Sequence, residues 1–481
     1  MFVKKKEFKM TSSSNNLWKK SATEVVSLLK NKEISPEDAL NSNLERIEET
    51  HNSINAVVTV CEERARNQIK NLNKTMHNHP GYLHGLPVVI KDLTNVKGVR
   101  TTEGSKIYKD NIPETSDFLV ERIEKMGGII IGKTNTPEFG AGSQTFNEVF
   151  GTTRNPWNLD YTAGGSSGGT ASALATGAAW LGTGSDLGGS LRNPASFCGV
   201  VGIRPTAGTI AHGPQNLPFN GLSVDGPMAR TVEDIALFLD TMSELDSRDP
   251  LSVNAPLKPY QNSITEDVPK LNIGISDDYG FLACAPEVRE AINQAEKILL
   301  AMGHNVERTC PDLSNAEETF QILRAHMLAT DKRELYAAHK NIMKEDLRLN
   351  IEKGLALTAE QISKAQLARG QLVKNTNVFF EKFDLLISPS SMVAPFNIKE
   401  HWPKKVENTE FDNYVSWLMT AAAISLTGCP SLAVPCIKTD NNLPIGIQIV
   451  ARRRNESLLI KFGHLFQKHT NNYNITPIEP G

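Results

Sequence analysis

Gly164-Gly-Ser-Ser-Gly-Gly-Thr170 and Gly184-Ser-Asp-Leu-Gly-Gly-Ser-Leu-Arg-Asn-Pro194 twice set hydroxyl groups among glycines. Glycine has no Cβ, so the chain can turn sharply there and present successive backbone N–H groups to one side. Such an array is how a protein receives negative charge developing on an oxygen. Ser190, which follows Gly188-Gly189, is the best-placed nucleophile, and the amides of Leu187, Gly188, Gly189 and Ser190 are the candidate donors. Taken alone, the fragment reads more readily as a glycine turn capped by a helix-starting serine.

A serine needs a proton acceptor before it can attack an acyl carbon. Upstream, Gly85-Leu-Pro-Val-Val-Ile-Lys91-Asp92 ends an apolar run on a lysine. Burial disfavours the ammonium form, and moving a lysine from about 10.4 to about 7 corresponds to roughly 4–5 kcal/mol, which desolvation can provide. By itself Lys91 reads more blandly as an exposed strand-end residue or a partner of Asp92. With both Gly/Ser clusters, the set reads as a serine hydrolase with a lysine base.

The rest of the composition narrows the class. The chain has 481 residues, 40% of them hydrophobic, enough for a sizeable core. Lys+Arg 51 against Asp+Glu 54 leaves no strong field, so neither nucleic acid nor an anionic membrane is implied as a partner. The six cysteines lack C-x-x-C spacing, which argues against a zinc ribbon, a redox pair or a disulfide framework and fits a reducing cytoplasm. No cluster of His, Asp or Cys suggests a metal. The basic start, Met1 to Met10, runs into polar residues rather than an apolar segment, so it is not a signal peptide, and Met10 is an alternative start. Ala421 to Cys436 is apolar but interrupted by Gly428, Pro430 and Pro435, which reads as a buried segment and not a membrane span.

Helix starts are visible at Ser35-Pro36-Glu37, before Asp38 to Ile54, at Thr231-Val-Glu-Asp234, before Ile235 to Met242, and at Pro286-Glu287, with Gly303 closing the last. Short apolar runs at Pro87–Ile90, Gly128–Ile131, Leu271–Ile275, Leu385–Ile387 and Ile447–Val450 read as strands covered on both faces. The alternation predicts an α/β fold with a central mixed β-sheet covered by helices on both faces. No internal repeat is present, and Asp249 to Pro269 is the best candidate for an excursion.

Three motifs mislead. Gly127-Gly-Ile-Ile-Ile-Gly132-Lys133-Thr134 fits the P-loop pattern, but its variable positions are β-branched and read as the strand itself. Gly164-Gly-Ser166-Ser-Gly168 fits the nucleophile elbow of α/β-hydrolases, yet Asn155 to Thr162 before it reads as polar loop instead of a buried strand. Ser27-Leu-Leu-Lys30 lies on an amphipathic N-terminal helix with no glycine-rich partner.

The chain resembles the amidase signature family. The matching segments are Gly85 to Asp92, Gly132-Lys-Thr-Asn-Thr-Pro-Glu-Phe139, Gly151-Thr-Thr-Arg-Asn-Pro-Trp157, Gly164 to Gly169, Gly184 to Pro194, Phe197-Cys-Gly-Val-Val-Gly-Ile-Arg-Pro205 and Leu443-Pro-Ile-Gly-Ile-Gln-Ile-Val450. The resemblance implies a Ser-cis-Ser-Lys triad: Ser190 as nucleophile, Ser166 as bridging serine after a cis peptide bond, and Lys91 as ultimate base. Ser167 rivals Ser166 from sequence alone, and the family pattern favours Ser166. It further implies that Asp186 and Arg192 brace the nucleophile loop, that Gly140 approaches substrate or is a packing glycine, and that no cofactor or metal takes part.

One large domain is expected over residues 21–475, with a catalytic core at about 80–210 and a more variable, substrate-shaping region at 249–400. Residues 1–20 read as an N-terminal extension expected to be poorly ordered. The substrate expected is a small-molecule amide with an apolar or aromatic acyl group, and a homodimer is compatible with the sequence. The main rival within the family is the glutaminase component of a glutamine-dependent tRNA amidotransferase. That component typically carries a late aspartate for the α-amine of glutamine, and Leu418 falls near that place here. An esterase and an inactive binding protein on the same fold are the other readings.

Overall fold

The computed structural model describes residues 16–470 and 475–481. Of the expected N-terminal extension, residues 1–15 lie outside the described residues. Leu17–Lys19 forms a 3-10 turn with Leu17 buried, and the Arg46 guanidinium lies 3.9 Å over the Trp18 ring.

Eleven strands form one sheet. In chain order they are β1 (Val57–Val60), β2 (Pro87–Lys91), β3 (Ile129–Thr134), β4 (Leu181–Asp186), β5 (Val201–Arg204) and β6 (Val224–Ala229), followed by β7 (Asn272–Ile275), β8 (Asn305–Arg308), β9 (Leu385–Pro389), β10 (Ser431–Lys438) and β11 (Pro444–Ala451). Their spatial order is β1-β3-β2-β4-β6-β5-β10-β11-β9-β7-β8. β2 is parallel to both β3 and β4, and β7 is parallel to both β8 and β9. The strands between these groups pair antiparallel, so the sheet is mixed as expected.

Successive residues of a strand face opposite sides. Val88, Ile90 and Ile130 accordingly join one hydrophobic cluster, and Val89, Ile129 and Ile131 another. Both faces are therefore covered, which is why these runs show no polar alternation.

The helix starts follow local chemistry. Ser35 and Asp38 form a reciprocal capping box on Pro36–Ile54. Thr231 accepts from Asp234 N, but the buried Asp234 carboxylate accepts from Thr23 N at 2.8 Å instead of completing the box, so only half of it exists. Gly303, at φ +87°, ends Pro286–Ala301.

One reading is corrected. Arg154–Asn155 and Asn158–Thr162 form a small antiparallel hairpin where polar loop was expected. The apolar stretch from Ala421 to Cys436 is buried as expected, and consists of the end of a helix, Met419–Thr427, a left-handed turn at Gly428, and then β10. Pro435 is accommodated inside β10 because the ladder shifts register there.

Candidate active site

Lys91 ends β2, where Val88-Val-Ile90 drives the strand into the core and the following turn starts at Asp92. The residue is fully buried. Its Nζ contacts two hydroxyls, Ser166 Oγ at 2.7 Å and Ser185 Oγ at 3.0 Å. Burial pushes the ammonium down to about 7, with Asp225 and Asp186 opposing from a distance. Asp92 does not partner it. That carboxylate faces the other way, to Lys133 Nζ at 3.1 Å and to the Thr102 hydroxyl at 2.6 Å.

Ser166 sits between the small hairpin and the helix Gly168–Ala175, with a cis peptide at Gly165–Ser166. Its hydroxyl is the one on Lys91. Ser167 points elsewhere: its Oγ lies 2.7 Å from where a Gly184 Cβ would be, and it has no hydrogen-bond partner. Gly140, at φ +69°, is packed beside Ser166, since a Cβ there would lie 3.5 Å from Ser166 Oγ and 2.8 Å from Leu93 Cδ1.

Ser190 occupies the turn between β4 and the helix Arg192–Cys198 and is half-buried. The Asp186 carboxylate organises this turn. It accepts from Gly189 N at 3.0 Å, Leu191 N at 3.1 Å, and Arg192 Nε and Nη2 at 3.0 and 2.8 Å, with Arg204 Nη1 at 3.3 Å. Burial alone would raise its pKa, but the two guanidiniums and these hydrogen bonds hold it far below the usual carboxylate range. Asp186 and Arg192 thus form a loop brace.

The donor set differs from expectation at one residue. The Gly189 N–H is taken by Asp186 Oδ1, whereas the amides of Leu187, Gly188 and Ser190 have no acceptor among the described residues. A Cβ on Gly188 would lie 2.9 Å from Phe320 Cζ, and one on Gly189 would lie 2.6 Å from Ala421 Cβ. Phe320 and Ala421 thus pack closely on the two glycines before Ser190.

A model of the family described as Amidase matches residues 38–460. The chain belongs to the amidase family. It is a hydrolase of the type that acts on amide C–N bonds, built on a single α/β domain. A glutamyl-tRNA(Gln) amidotransferase component from Geobacillus sp. (strain WCH70) is 33% identical over 492 residues, covering 96% of this chain and 99% of that one. Among solved structures, a bacterial aryl acylamidase of the amidase signature enzymes superposes with TM-score 0.87 at 29% identity, covering 96% and 99%. The corresponding glutamyl-tRNA(Gln) amidotransferase component of Thermotoga maritima gives TM-score 0.77 at 26% identity, covering 96% and 98%.

Sequence reasoning missed Ser185 and Asp225. Ser185 lines a polar cavity of about 460 Å³, together with His212, Asp225 and Asp117. Burial works against a charge on His212, but Asp225, 2.6 Å from its Nδ1, lifts its pKa to about 9. His212 is thus paired to an acid instead of serving as a base. The signal for Ser185 was present, because strand alternation puts it on the same face as Thr183, whose Oγ1 receives Lys91 N at 3.1 Å.

Proposed function

We propose that this amidase hydrolyses a small-molecule carboxylic acid amide through an acyl-enzyme on Ser190. Neutral Lys91 takes a proton from Ser166 as Ser166 takes one from Ser190, and Ser190 Oγ attacks the acyl carbon. The free amides of Leu187, Gly188 and Ser190 receive the oxyanion. The relay then runs backward to protonate the leaving amine, and water releases the acid. No cofactor or metal enters this scheme.

One observation carries the reading: a fully buried lysine sits 2.7 Å from Ser166 with no carboxylate in contact, and its ammonium is lowered to about 7. A base with a pKa near the working pH combines the needed protonation state with the needed proton affinity. Apolar neighbours support an apolar or aromatic acyl group. Phe320, Ala421 and Ala422 line the nucleophile turn, and Leu418 clusters with Phe197, Trp417 and Phe396. An α-ammonium beside Leu418 would have no acid partner, which favours a stand-alone amidase over a glutamine-using amidotransferase component. Among the described residues no helix is long and apolar enough to cross a membrane, and the scattered cysteines suit action in the cytoplasm.

The test is ammonia or amine release from apolar, aromatic and glutamine amides by wild type, Ser190→Ala and Lys91→Ala. Turnover of apolar amides that both variants abolish supports the proposal. Turnover of glutamine alone favours the amidotransferase reading, and unchanged activity in Ser190→Ala removes Ser190 from the scheme.

A further inference from the structure

Arg324 lies on the helix Ala316–Asp331, one turn beyond Phe320, whose ring edge packs on Gly188. Residues four apart share a helix face, so Arg324 continues the wall that begins at the nucleophile turn. It is only 5% exposed. Its Nη1 donates to Asn350 Oδ1, its Nη2 donates to the Tyr414 hydroxyl, and its guanidinium lies 5.1 Å over the Tyr414 ring. All of these partners are neutral.

That sets Arg324 apart. The comparably buried Arg46, Arg122, Arg192 and Arg204 each have a carboxylate, from Glu49, Glu244 and, for the last two, Asp186. Arg230 is answered by two backbone carbonyls with Asp234 near by. Asp346, at the start of the helix Glu345–Leu355 that carries Asn350, is already paired with Lys344 at 3.2 Å. A desolvated guanidinium facing only neutral groups is unfavourable until an anion joins it.

Phe320, Ala421 and Ala422 pack on the glycines before Ser190, and Arg324 follows Phe320 one turn further along the same helix. We propose that Arg324 is an anion subsite of the active site and that the substrate is the monoamide of a dicarboxylic acid. Such a molecule has an apolar spine, a distal carboxylate that forms a charge-assisted pair with the guanidinium, and no α-ammonium. The inference rests on the amidase reading above and narrows its substrate.

The test compares adipic acid monoamide with hexanamide, which has the same length but no charge, using the full chain. Wild type is expected to favour the acid at least about tenfold in kcat/KM, mostly through KM, as the loss of a charged hydrogen bond implies. Arg324→Gln should erase that preference, and Arg324→Lys should restore part of it. Free adipate should inhibit wild type at least about tenfold more strongly than hexanoate by the same energetics, a readout independent of how the variants fold. Equal use of both amides by wild type, equal inhibition by both acids, or an undiminished preference in a folded Arg324→Gln overturns the subsite. Failure to turn over any amide, with no labelling of Ser190 by a fluorophosphonate, brings down the amidase reading itself.

Discussion

Lys91 and Lys133 stand on neighbouring strands, both fully buried, with opposite environments. Lys133 Nζ is held by Asp92 at 3.1 Å, the Thr94 carbonyl at 2.8 Å and the Thr101 hydroxyl at 2.8 Å. Lys91 is held by two hydroxyls and no acid. Burial lowers the proton affinity of both, and for Lys133 the adjacent Asp92 pulls it back. Asp92 answers Lys133, and no carboxylate contacts Lys91. What separates the two lysines is therefore the neighbour and not the depth, and on the proposed scheme that is what fits Lys91 to act as a base.

The largest expected effect tests that division directly. Lys91→Met and Ser190→Ala should each lower kcat for amide hydrolysis by at least about 10³-fold, and the double variant should be little worse, because the groups act as one relay. Steady-state product release measures it.

Stability should move in opposite directions at the two sites. Lys133→Met leaves Asp92 buried without a cation and should lower the unfolding free energy by about 3–5 kcal/mol in urea melts. Lys91→Met should raise it at pH 7 by about 2–4 kcal/mol, because it removes a lysine whose folded pKa is near 7. The sign follows from the window between about 7 and 10.5, where the unfolded chain keeps the Lys91 proton and the folded chain has lost it. The penalty of Lys91 is full below pH 7 and fades as pH rises to 10.5, and the gain from Lys91→Met should fade with it.

The pH profile sharpens the contrast next. The value of kcat/KM should rise through a limb near pH 7 as Lys91 loses its proton. Asp225→Asn removes the leading charge that sustains the ammonium and should shift that limb to lower pH by about one unit or less. The smallest effect belongs to Ser167, the neighbour of Ser166 that does not touch Lys91. Ser166→Ala should track Lys91→Met in kcat, whereas Ser167→Ala should stay within about twofold of wild type, since only Ser166 touches the lysine.

Much of this arrangement was legible in the residues. Val88-Val-Ile90 before Lys91 announced a buried strand end, and the double glycines announced the turn that carries Ser190. The parts that stayed hidden depend on chain segments far apart in sequence. Asp92 was the obvious neighbour for Lys91, yet consecutive strand residues face opposite sides, and Lys133 arrives from β3 to claim it. β4 escaped notice because Leu-Gly-Thr-Gly-Ser-Asp has almost no β-branched residue. It forms a strand because neighbours crowd it: a Gly184 Cβ would lie 2.6 Å from Leu191 Cδ2, and one on Gly182 would lie 2.5 Å from Thr170 Cγ2. The engagement of Gly189 N–H by Asp186 is invisible in sequence, because five donors with one acid nearby leave open which amides it takes.

That selective engagement leaves a trace in isotope exchange. Across Leu187 to Leu191 the amides of Gly189 and Leu191 are tied to one carboxylate inside the core, while those of Leu187, Gly188 and Ser190 have no acceptor among the described residues. In deuterated solvent the first pair should report the opening of the whole domain. The other three should exchange early and slow down only when an acyl oxygen occupies them, so five consecutive residues carry both a clock for unfolding and a gauge of occupancy.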